Sequence, residues 1–506
     1  MKKIISITDL QKKIADYKNK KNTVVLCHGT FDLLHLGHLR HFAEAKKFGD
    51  ILIVTVTSDK YVIKGPNRPH FSINQRLEAL SYISEIDFVA SVDSLDAVNL
   101  IRFLKPNIYC KGPDYKNFKN DLSGKIYQEI KSIKSVKGMF KTTKSDTFSS
   151  SNLLNEHFDI FEADQKNIIF NIKKKLKKNP SELINKLSDL KVLVIGETII
   201  DNYIYCDPIG KSGKDPILTF KKLNENSYLG GVLAIAKNIS DFVKKVTIIS
   251  SIGEKNEYKK LIIKNLNKKN VICKFFNKKN SSTIIKTRYL DHTNYNKVFA
   301  IYNIDDNNFE KKTDTKILSL IKKESKKHDI ILVSDYGHGF FSDSIVDYFN
   351  NINNFKALNT QINSSNLGYH GLNRYKNLDL LIINEREIRF ELRDRNSELK
   401  LLIKRLAFQK NVKCLVVTIG SNGAIMYLKK YNSFYECPAF AGKVIDKVGA
   451  GDAMLSLLSL AIKKNFDPNF SLLFGSLAAA NNVESISNSV SCSKSMILKN
   501  LSSVFK

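Results

Sequence analysis

Several features are scarce in this sequence, and each shortage excludes a class of protein. The 506-residue chain has nine prolines and 23 glycines, too few for a collagenous or low-complexity chain. Its seven cysteines are scattered, without a CxxC pair or a His/Cys cluster at zinc spacing, so we expect reduced thiols and a cytoplasmic location. No run of about 18 apolar residues occurs, and the basic N-terminus lacks the apolar core of a signal peptide, so we expect no membrane partner.

Positive charge is abundant, but its pattern does not indicate a nucleic-acid partner. The formal net charge is +30. Lysine far outnumbers arginine, and lysine, asparagine and isoleucine are common along the whole chain. No arginine-rich patch with interleaved aromatic residues occurs, which is the pattern typical of nucleic-acid binding. We therefore interpret the charge as spread over many solvated faces and expect no nucleic-acid partner.

The alternation of apolar and amphipathic runs predicts two α/β regions. A chain of this length suggests two to four domains. Strand-like runs separated by helical stretches occur in residues 1–158 and again in residues 189–506, and a lysine-rich segment, 159–188, predicts a solvated linker. Such alternation is typical of doubly wound, mainly parallel sheets, which bind ligands at the carboxyl ends of their strands.

The segment Asp446–Asp452, with the sequence DKVGAGD, has the residues of a phosphate cradle. It follows a strand-like run, 442–445, and opens an apolar run compatible with a helix. Gly449 and Gly451 let backbone N–H groups turn inward, where the helix dipole favours an anion. The Asp452 carboxylate beside such a cradle could serve as a base for phosphoryl transfer to a hydroxyl. A glycine-rich turn capped by an aspartate is the alternative that these residues leave open.

A pair of histidines predicts a second phosphate site, in the first region. His35 and His38 are three residues apart at a predicted helix start, so they share one face of that helix. Gly37 between them lets a phosphate approach the backbone. Two imidazoles at this position can stabilise charge on a leaving pyrophosphate. A metal-binding pair or ordinary surface histidines are the alternatives that the spacing leaves open.

The segments around the histidine pair form a longer ordered pattern. Gly29-Thr30-Phe31-Asp32 precedes the pair, and Lys64 and then Gln75-Arg76 follow it. Lys111-Gly112-Pro113-Asp114-Tyr115 and Phe148-Ser149-Ser150-Ser151 come next. In this order the motifs resemble the cytidylyltransferase-like nucleotidyltransferases, whose mark is an HxGH motif, over nearly all of residues 22–157. The pattern departs from the family at His28, where related sugar-nucleotide enzymes often have asparagine.

This resemblance implies an activity and a set of roles. A phosphate oxygen of a sugar 1-phosphate attacks the α-phosphorus of ATP or CTP, or else GTP, pyrophosphate leaves, and Mg²⁺ bridges the triphosphate oxygens. The resemblance assigns catalytic roles to His35, His38 and Lys64, nucleotide-binding roles to Thr30, Phe31, Arg76, Ser149, Ser150 and Ser151, and a substrate contact to Asp114.

The second region carries its own ordered set of motifs. Asp201, Gly230-Gly231, Asn384-x-x-Glu387, the turn Thr418–Gly423 and the segment Asp446–Asp452 follow one another. Together they resemble the ribokinase-like carbohydrate kinases, which implies ATP as phosphoryl donor and a small β lid near residues 203–220 and 283–302. The resemblance implies that Asp452 is the catalytic base and that the anion hole is formed by Gly449, Ala450 and Gly451. It implies Mg²⁺ contacts, through phosphate or water, for Asn384 and Glu387. It also implies that the sugar is bound by Asp201, Gly230, Gly231, Asn238 and Asp335, and the nucleotide by Thr418, Gly420 and Gly423.

Individually, several of these residues have other interpretations. Asn384 and Glu387 could cap a helix. His338 alone is more typical of a surface loop, and Lys286 and Arg288, which alternate along a predicted strand, could face solvent. The functional interpretation rests on their ordered occurrence together.

Within the carbohydrate kinases, the second region is most similar to the heptose-7-phosphate kinase half of the bifunctional ADP-heptose synthesis enzymes, whose other half is a cytidylyltransferase-like domain. The domain order is swapped here, with the transferase first. Three departures fall on the sugar side: Ala234 stands where the family has asparagine, His338 replaces lysine, and Asn359-Thr360-Gln361 replaces Asp-Pro-Lys. The catalytic end is intact.

The sequence therefore predicts an α/β protein of two doubly wound domains, an HxGH nucleotidyltransferase fold followed by a ribokinase-like three-layer fold with a small β lid. We expect a bifunctional enzyme of nucleotide-sugar synthesis that phosphorylates a sugar or sugar phosphate and transfers a nucleotidyl group to a sugar 1-phosphate. Its partners would be sugar phosphates and nucleoside triphosphates, and we expect a homodimer. The alternative is a nucleotidyltransferase whose vestigial kinase domain binds sugar or mediates dimerisation.

Overall fold

The computed structural model describes residues 3–62, 68–94, 96–115, 126–144, 161–176, 179–363 and 365–505. Of the predicted site residues, Lys64, Ser149, Ser150 and Ser151 lie outside the described residues, as does the side chain of Asp114. The chain divides into two units, one of Met1–Lys166 with Ser495–Lys506 and one of Asn167–Lys494. The last twelve residues, which the sequence assigned to the second domain, thus group with the first unit.

The first unit is built on a parallel sheet. Its strands are β1 Val24–Gly29, β2 Ile51–Thr57, β3 Phe88–Val92, β4 Ile108–Lys111 and β5 Met139–Thr142, and its helices are α1 Ile7–Asn19, α2 Leu36–Lys46, α3 Ile73–Ser81, α4 Val98–Leu104 and α5 Ile126–Ser135. The strand order is β3-β2-β1-β4-β5, and every neighbouring pair is parallel. This arrangement confirms the predicted α/β fold class.

The central strand explains why this sheet is covered on both faces. Val25 and Cys27 of β1 pack into one apolar cluster with α2 and α3, whereas Val24 and Leu26 pack into another with α1 and α4. Successive side chains of a strand point to opposite faces, so a run of apolar residues without polar alternation requires helices on both sides.

Arg76 of α3 ties that helix to the loop carrying the histidine pair. Helix α3 begins at a capping box formed by Ser72 and Gln75. The buried Arg76 guanidinium donates hydrogen bonds to the carbonyl oxygens of Thr30 at 2.6 Å and Thr57 at 3.0 Å. It also donates to the carbonyl of Phe71 and to the Asp59 carboxylate. One buried cation, Arg76, therefore connects the end of β1, the end of β2 and the start of α3 through hydrogen bonds.

Helices α6 Ala163–Lys175 and α7 Pro180–Asn185 precede a larger sheet in the second unit. The strands of this sheet are β6 Lys191–Gly196, β9 Lys245–Gly253, β10 Val271–Lys278, β13 Ile330–Asp335, β14 Phe355–Thr360, β15 Leu380–Asn384, β16 Cys414–Thr418, β17 Ala424–Leu428 and β18 Ser433–Cys437. The order is β10-β9-β6-β13-β14-β15-β16-β17-β18, parallel from β10 to β16 and antiparallel at β17 and β18.

Helices cover both faces of this sheet. They are α8 Val232–Ile239, α9 Lys259–Asn265, α10 Lys311–Ser325, α11 Asp343–Asn351, α12 Glu385–Leu392, α13 Leu399–Gln409, α14 Ala450–Lys463 and α15 Pro468–Val483. The last helix of the chain, α16 Lys494–Val504, consists almost entirely of residues that group with the first unit. Every residue of α14 from Asp452 to Ala461 is buried, so this helix lies inside the unit. Within the part of the chain that the structure describes, no helix has the length and apolarity to cross a membrane.

A separate four-stranded sheet, here called the small sheet, belongs to the second unit. It consists of β7 Thr198–Lys211, β8 Leu218–Gly231, β11 Ile284–Asp291 and β12 Lys297–Asn303, in the order β12-β11-β7-β8. The short strands expected near 203–220 are in fact one long hairpin. The expected strand at 442–445 was wrong: this stretch is irregular, because the N–H groups of Ile445 and Asp446 donate to the carbonyl of Val483 at the end of α15 instead of to a strand.

Replacing Arg76 by methionine should destabilise the first unit. The carbonyl oxygens of Thr30 and Thr57 would lose a buried donor, which costs about 2–4 kcal/mol in the free energy of unfolding. Calorimetry of the full chain measures this as a lowered melting temperature for one of its transitions. Arg102→Met, at an exposed position of α4, is the matched control and should leave the transition within about 0.5 kcal/mol of wild type. If both variants lower the melting temperature equally, the hydrogen bonds of Arg76 do not stabilise the first unit in the way we propose.

Candidate active sites

Asp452 lies in the first turn of α14, buried at 4% exposure. Its carboxylate accepts a hydrogen bond of 2.6 Å from the Tyr336 hydroxyl and a longer one of 3.5 Å from Ser334. Burial raises the pKa of Asp452 to about 7, although the hydrogen bond from Tyr336 acts in the opposite direction. A carboxyl group poised near neutral pH is suited to accept a proton and later release it.

The turn before Asp452 has the geometry that the glycines predicted. Gly449 is the N-cap of α14 with φ of +86°, in the left-handed region. A Cβ there would lie 2.3 Å from Oδ1 of Asn488, so a side chain would also clash. A Cβ at Gly451 would meet nothing within 4 Å, which leaves open space beside the backbone. The first N–H groups of α14, including that of Ala450, therefore lie at a helix N-terminus next to Asp452.

The end of β13 divides its side chains between two sides. Ser334 and Tyr336 are two residues apart and both reach Asp452. Asp335 between them points the other way, as strand alternation requires. Its carboxylate accepts hydrogen bonds from the Tyr375 hydroxyl at 2.6 Å and from the Gly337 N–H. The predicted sugar contact of Asp335 stays a prediction, and the contact of Tyr336 with Asp452 was not predicted.

Asp201 of β7 is held by a cation of the small sheet. Nη1 of Arg288 donates to its carboxylate at 2.6 Å, and both side chains are at least 90% buried. A Cβ at Gly230 would lie 2.5 Å from the same carboxylate, so glycine is needed where β8 passes Asp201. Gly231, with φ of +55°, begins α8. The two glycines and Asp201 therefore come together as the sequence predicts.

Lys286 and Arg288 of β11 do not face solvent, which removes one alternative. The residues are 6% and 8% exposed. Nζ of Lys286 lies 5.2 Å from the ring centroid of Tyr336 and 5.7 Å from that of Tyr302. Burial lowers the pKa of Lys286, while Asp201 acts to raise it. Two buried cations thus lie near the candidate site, Arg288 paired with Asp201 and Lys286 next to the ring of Tyr336.

A buried glutamate next to this site was missed in the sequence. Glu197 follows β6, is fully buried, and accepts hydrogen bonds from the N–H groups of Tyr336 and His338. Burial and the neighbouring Asp335 raise the pKa of Glu197 to about 8. Its position at the carboxyl end of a central strand was the available signal. His338 is buried rather than exposed in a loop, and its Nδ1 lies 2.8 Å from the Asp306 carboxylate.

Asn384 and Glu387 form a capping box at the start of α12. The Asn384 side chain accepts from the Glu387 N–H, and the Glu387 carboxylate accepts from the N–H groups of Asn384 and Ile362. Burial raises the pKa of Glu387 to about 7. These oxygens already accept backbone donors, so the pair fits a cation held through water or phosphate oxygens and does not fit direct coordination of Mg²⁺.

The remaining predicted residues of this unit lie in two places. Thr418 ends β16, and the turn after it contains Gly420 and Gly423 at φ of +60° and +89°. A Cβ at Gly423 would lie 2.0 Å from the carbonyl oxygen of Cys437, so glycine is required there. Asn238 of α8 is buried, and its side-chain oxygen accepts from the Cys492 N–H at 3.0 Å. The sugar contact of Asn238 stays a prediction.

In the first unit, the histidine pair comes together at the start of α2. His35 is the N-cap residue and His38 lies in the first turn. Their rings stack with centroids 4.0 Å apart at an interplanar angle of 26°, and the Phe31 ring meets that of His38 edge-on at 5.4 Å. Both imidazoles therefore reach the same side of a helix N-terminus, where an anion is favoured.

The loop before this pair is tightly constrained. Phe31 has φ of +49°, and a Cβ at Gly29 would lie 2.9 Å from its ring. Thr30 is buried and supplies its carbonyl to Arg76. The nucleotide contacts predicted for Thr30, Phe31 and Arg76 stay predictions. His28 is directed into the protein, with Nδ1 3.0 Å from the Thr55 hydroxyl, and burial lowers its pKa to about 3.

Two cysteines and a histidine meet in the core of this unit, although their sequence spacing gave no sign of it. Cys27 and Cys110 are register neighbours on β1 and β4, and their sulfur atoms lie within 4.8 Å of one another and of a ring nitrogen of His41. A hydrogen bond to Cys110, together with burial, raises the pKa of the Cys27 thiol. His41 donates to or accepts from the Thr143 hydroxyl at 3.0 Å. Both cysteines are buried and pack as small apolar side chains.

Comparison with known protein families agrees with the two units. Residues 26–156 match the family model described as cytidylyltransferase-like, and residues 189–494 match the model described as pfkB family carbohydrate kinase. The chain therefore carries a nucleotidyltransferase-like domain followed by a carbohydrate kinase domain, as the sequence predicted.

Two similar proteins from different organisms carry the same name. The bifunctional protein HldE of Campylobacter fetus subsp. fetus is 38% identical over 143 residues, which cover 28% of this chain and 30% of that protein. Bifunctional protein HldE of Aliarcobacter butzleri is 27% identical over 297 residues, which cover 57% of this chain and 60% of that protein. The matches thus span less than two thirds of the length of these relatives.

The raised pKa of Asp452 predicts an acid limb in the kinase rate. A base must be deprotonated, so kcat/KM for phosphoryl transfer should fall about tenfold per pH unit below pH about 7. Tyr336→Phe removes a hydrogen bond that favours the carboxylate, so the limb should move upward by about one pH unit. Tyr427→Phe, which removes a hydroxyl bonded to Asn432, is the control. The measurement is ADP release as a function of pH. If the acid limb of Tyr336→Phe lies at the same pH as that of wild type, the limb does not report the protonation of Asp452.

The fold of the second unit agrees with the family match. The tetrameric inhibited form of phosphofructokinase-2 from Escherichia coli superposes with a TM-score of 0.50 at 13% identity, covering 62% of this chain and 99% of that one. At this identity the likeness concerns the fold alone. The match of the family model covers more than half of the sequence, and Gly449 of the motif at Asp446–Asp452 is the N-cap of a helix, α14. The chain belongs to the pfkB family of carbohydrate kinases.

Proposed function

We propose that this chain is a bifunctional enzyme of nucleotide-sugar synthesis. One domain phosphorylates a sugar or sugar phosphate similar to heptose 7-phosphate with ATP, and the other transfers a nucleotidyl group from ATP, CTP or GTP to a sugar 1-phosphate. The observation that carries the kinase half is the buried Asp452 carboxylate beside the glycine turn at the start of α14. The stacked pair His35 and His38 carries the transferase half.

In the kinase, each residue of the site has a defined task. Asp452 takes the proton of the attacking hydroxyl, a contribution of about 10²–10⁴-fold for a positioned base. The N–H groups from Gly449 to Asp452 stabilise negative charge on the transferring phosphoryl group. Tyr336 holds the carboxylate in place. Mg²⁺ would neutralise the phosphate oxygens of ATP, with Asn384 and Glu387 contacting it through water or phosphate.

The buried cations support a sugar that already carries a phosphate. Lys286 and Arg288 lie on one face of β11, and Arg288 is paired with Asp201 while Lys286 lies over two tyrosine rings. Within the residues that the structure describes, no carboxylate forms a salt bridge with Lys286, and an anionic ligand would stabilise its buried ammonium. His338, where the heptose kinases have lysine, changes this region, so the sugar can differ from heptose.

In the transferase, the chemistry needs no protein nucleophile. The phosphate of the sugar 1-phosphate attacks, and the imidazoles of His35 and His38 stabilise the charge that develops on pyrophosphate. The N-terminus of α2 favours the same anion through its dipole. We propose that Lys64, Ser149, Ser150 and Ser151 complete the triphosphate contacts, and that Asp114 contacts the substrate.

The two sites should be separable by mutation. A panel of sugars, sugar phosphates and sugar 1-phosphates is assayed with ATP, CTP and GTP, with ADP release reporting the kinase and pyrophosphate release the transferase. Asp452→Asn should lower ADP release at least about 10²-fold and leave pyrophosphate release unchanged. His35→Ala and His38→Ala should do the reverse. If wild type releases no ADP with any compound, the kinase domain is vestigial, and loss of both activities in one variant would contradict independent sites.

We further propose a homodimer formed through the small sheet. All seven residues of β12, which is an edge strand, are exposed, and among them are Val298, Phe299, Ile301 and Tyr302. An exposed edge strand with apolar side chains is a ready surface for pairing. Equilibrium sedimentation should give twice the 57.5 kDa chain mass, and Ile301→Lys should shift the equilibrium to monomer. A wild-type monomer at about 10 μM would contradict the proposal.

A further inference from the structure

Asp446 is the first residue of the segment 446–452, here called loop 446–452, whose last three residues are the first turn of α14, and its carboxylate accepts four hydrogen bonds. Its side chain is 3% exposed. One oxygen accepts from the ammonium of Lys297 at 2.5 Å and from the N–H of Val448 at 3.1 Å. The other accepts from the hydroxyl of Tyr203 at 2.5 Å and from the N–H of Ser487 at 3.0 Å. Two donors belong to the small sheet and two to the body of the kinase domain.

The two donors of the small sheet come from different strands. Tyr203 lies on β7, is fully buried, and meets the Tyr228 ring edge-on with centroids 5.7 Å apart. Lys297 is the first residue of β12, and its ammonium lies 5.8 Å from the centroid of the Tyr203 ring. All of β12, including Lys297, is exposed, and the ion pair of Lys297 with Asp446 connects this edge strand of the small sheet to the main body.

The two backbone donors belong to the walls of the anion hole. The Val448 N–H contact fixes the turn immediately before Gly449. Ser487 precedes Asn488, whose Oδ1 limits the space at Gly449 to that of a glycine. Asn488 is held in turn by the side chain of Asn482 at 2.9 Å. The carboxylate of Asp446 therefore contacts both loop 446–452, through Val448, and the segment 482–488, through Ser487.

The charge of Asp446 matches this role. Burial acts to raise its pKa, but the hydrogen bonds from Lys297 and Tyr203 hold the pKa below the ordinary value of an aspartate. An ionised carboxylate offers acceptor sites for all four donors, whereas an amide would turn N–H groups toward two of them. Hydrogen bonds to a charged acceptor are also the stronger kind.

We propose that Asp446 is a positioning residue that couples the attachment of the small sheet to the geometry of the anion hole. The carboxylate that accepts hydrogen bonds from Tyr203 and Lys297 also accepts them from the N–H groups of Val448 and Ser487. Attachment of the small sheet to the main body and the ordered conformation of loop 446–452 therefore stabilise each other. The effect is reciprocal, because two events linked through one group shift each other's equilibrium equally. A nucleotide that orders loop 446–452 therefore tightens the small sheet. This inference rests on the proposed role of residues 449–452 in binding phosphate.

Hydrogen exchange of the full-length protein, read by mass spectrometry, tests the coupling without a sugar. Tyr203→Phe and Lys297→Met change only the small sheet, yet amides in 446–452 should exchange about tenfold faster in both variants. Lys297→Arg keeps the ion pair and should retain the wild-type rate. Lys222→Met removes another lysine of the small sheet, one paired with Glu225 at the surface, and should leave 446–452 unchanged.

The reciprocal arm uses a nonhydrolysable ATP analogue with Mg²⁺. In wild type the analogue should slow exchange of the β12 amides, and in Lys297→Met it should slow exchange in 446–452 without protecting β12. If Tyr203→Phe and Lys297→Met loosen β12 but leave 446–452 at the wild-type rate, Asp446 is only a turn residue and the proposal is overturned. Coupled exchange in a protein that releases no ADP with any sugar would support the coupling and overturn the kinase proposal instead.

Discussion

The kinase domain depends on the burial of one carboxylate. Removing Asp452 from water disfavours its charged form, and this desolvation brings its pKa to about 7. A buried carboxylate without compensation would be costly, so its surroundings supply donors: the hydroxyls of Tyr336 and Ser334 and the positive end of α14. The site elements described above are arranged around this requirement. The end of β13 contributes the hydroxyls, and the glycine turn brings the helix N-terminus to the carboxylate.

The other buried charges of the site follow the same logic with different partners. Asp201 is compensated by the guanidinium of Arg288, a pair that stays in place through its 2.6 Å contact. Glu197 is compensated by backbone N–H groups alone, and its pKa of about 8 reflects that weaker compensation next to Asp335. Asp446 has the most complete set of donors and stays ionised. In Asp452, Glu197 and Lys286, burial outweighs the surrounding donors and charges, so the pKa of each group shifts in the direction that favours its neutral form.

The sequence predicted the structure correctly where a residue's conformation depends on its neighbours along the chain. The predictions failed where contacts with residues far away in the sequence determine the structure. Asn384 and Glu387 were open to two interpretations, and the capping box shows why: the same spacing that suits a metal contact also satisfies two N–H groups of a helix start. The expected strand at 442–445 failed because Val483, some forty residues further on, accepts the N–H groups that a strand would need. The sequence assigns no role to Tyr336, since its partner Asp452 lies 116 residues away.

The sequence alone determined the two α/β regions, the glycine turn at the start of α14, the pairing of His35 with His38 on one helix face, and the order of motifs that identifies the family. These features depend on strand and helix periodicity or on sterics within a few residues, which a linear pattern records. Only the tertiary structure decided which charges are buried and what compensates them. Tyr203 and Asp446, 243 residues apart, share a hydrogen bond, and the pKa of Asp452 depends on everything packed around it. Desolvation is a property of the assembled interior, so no local pattern can specify it.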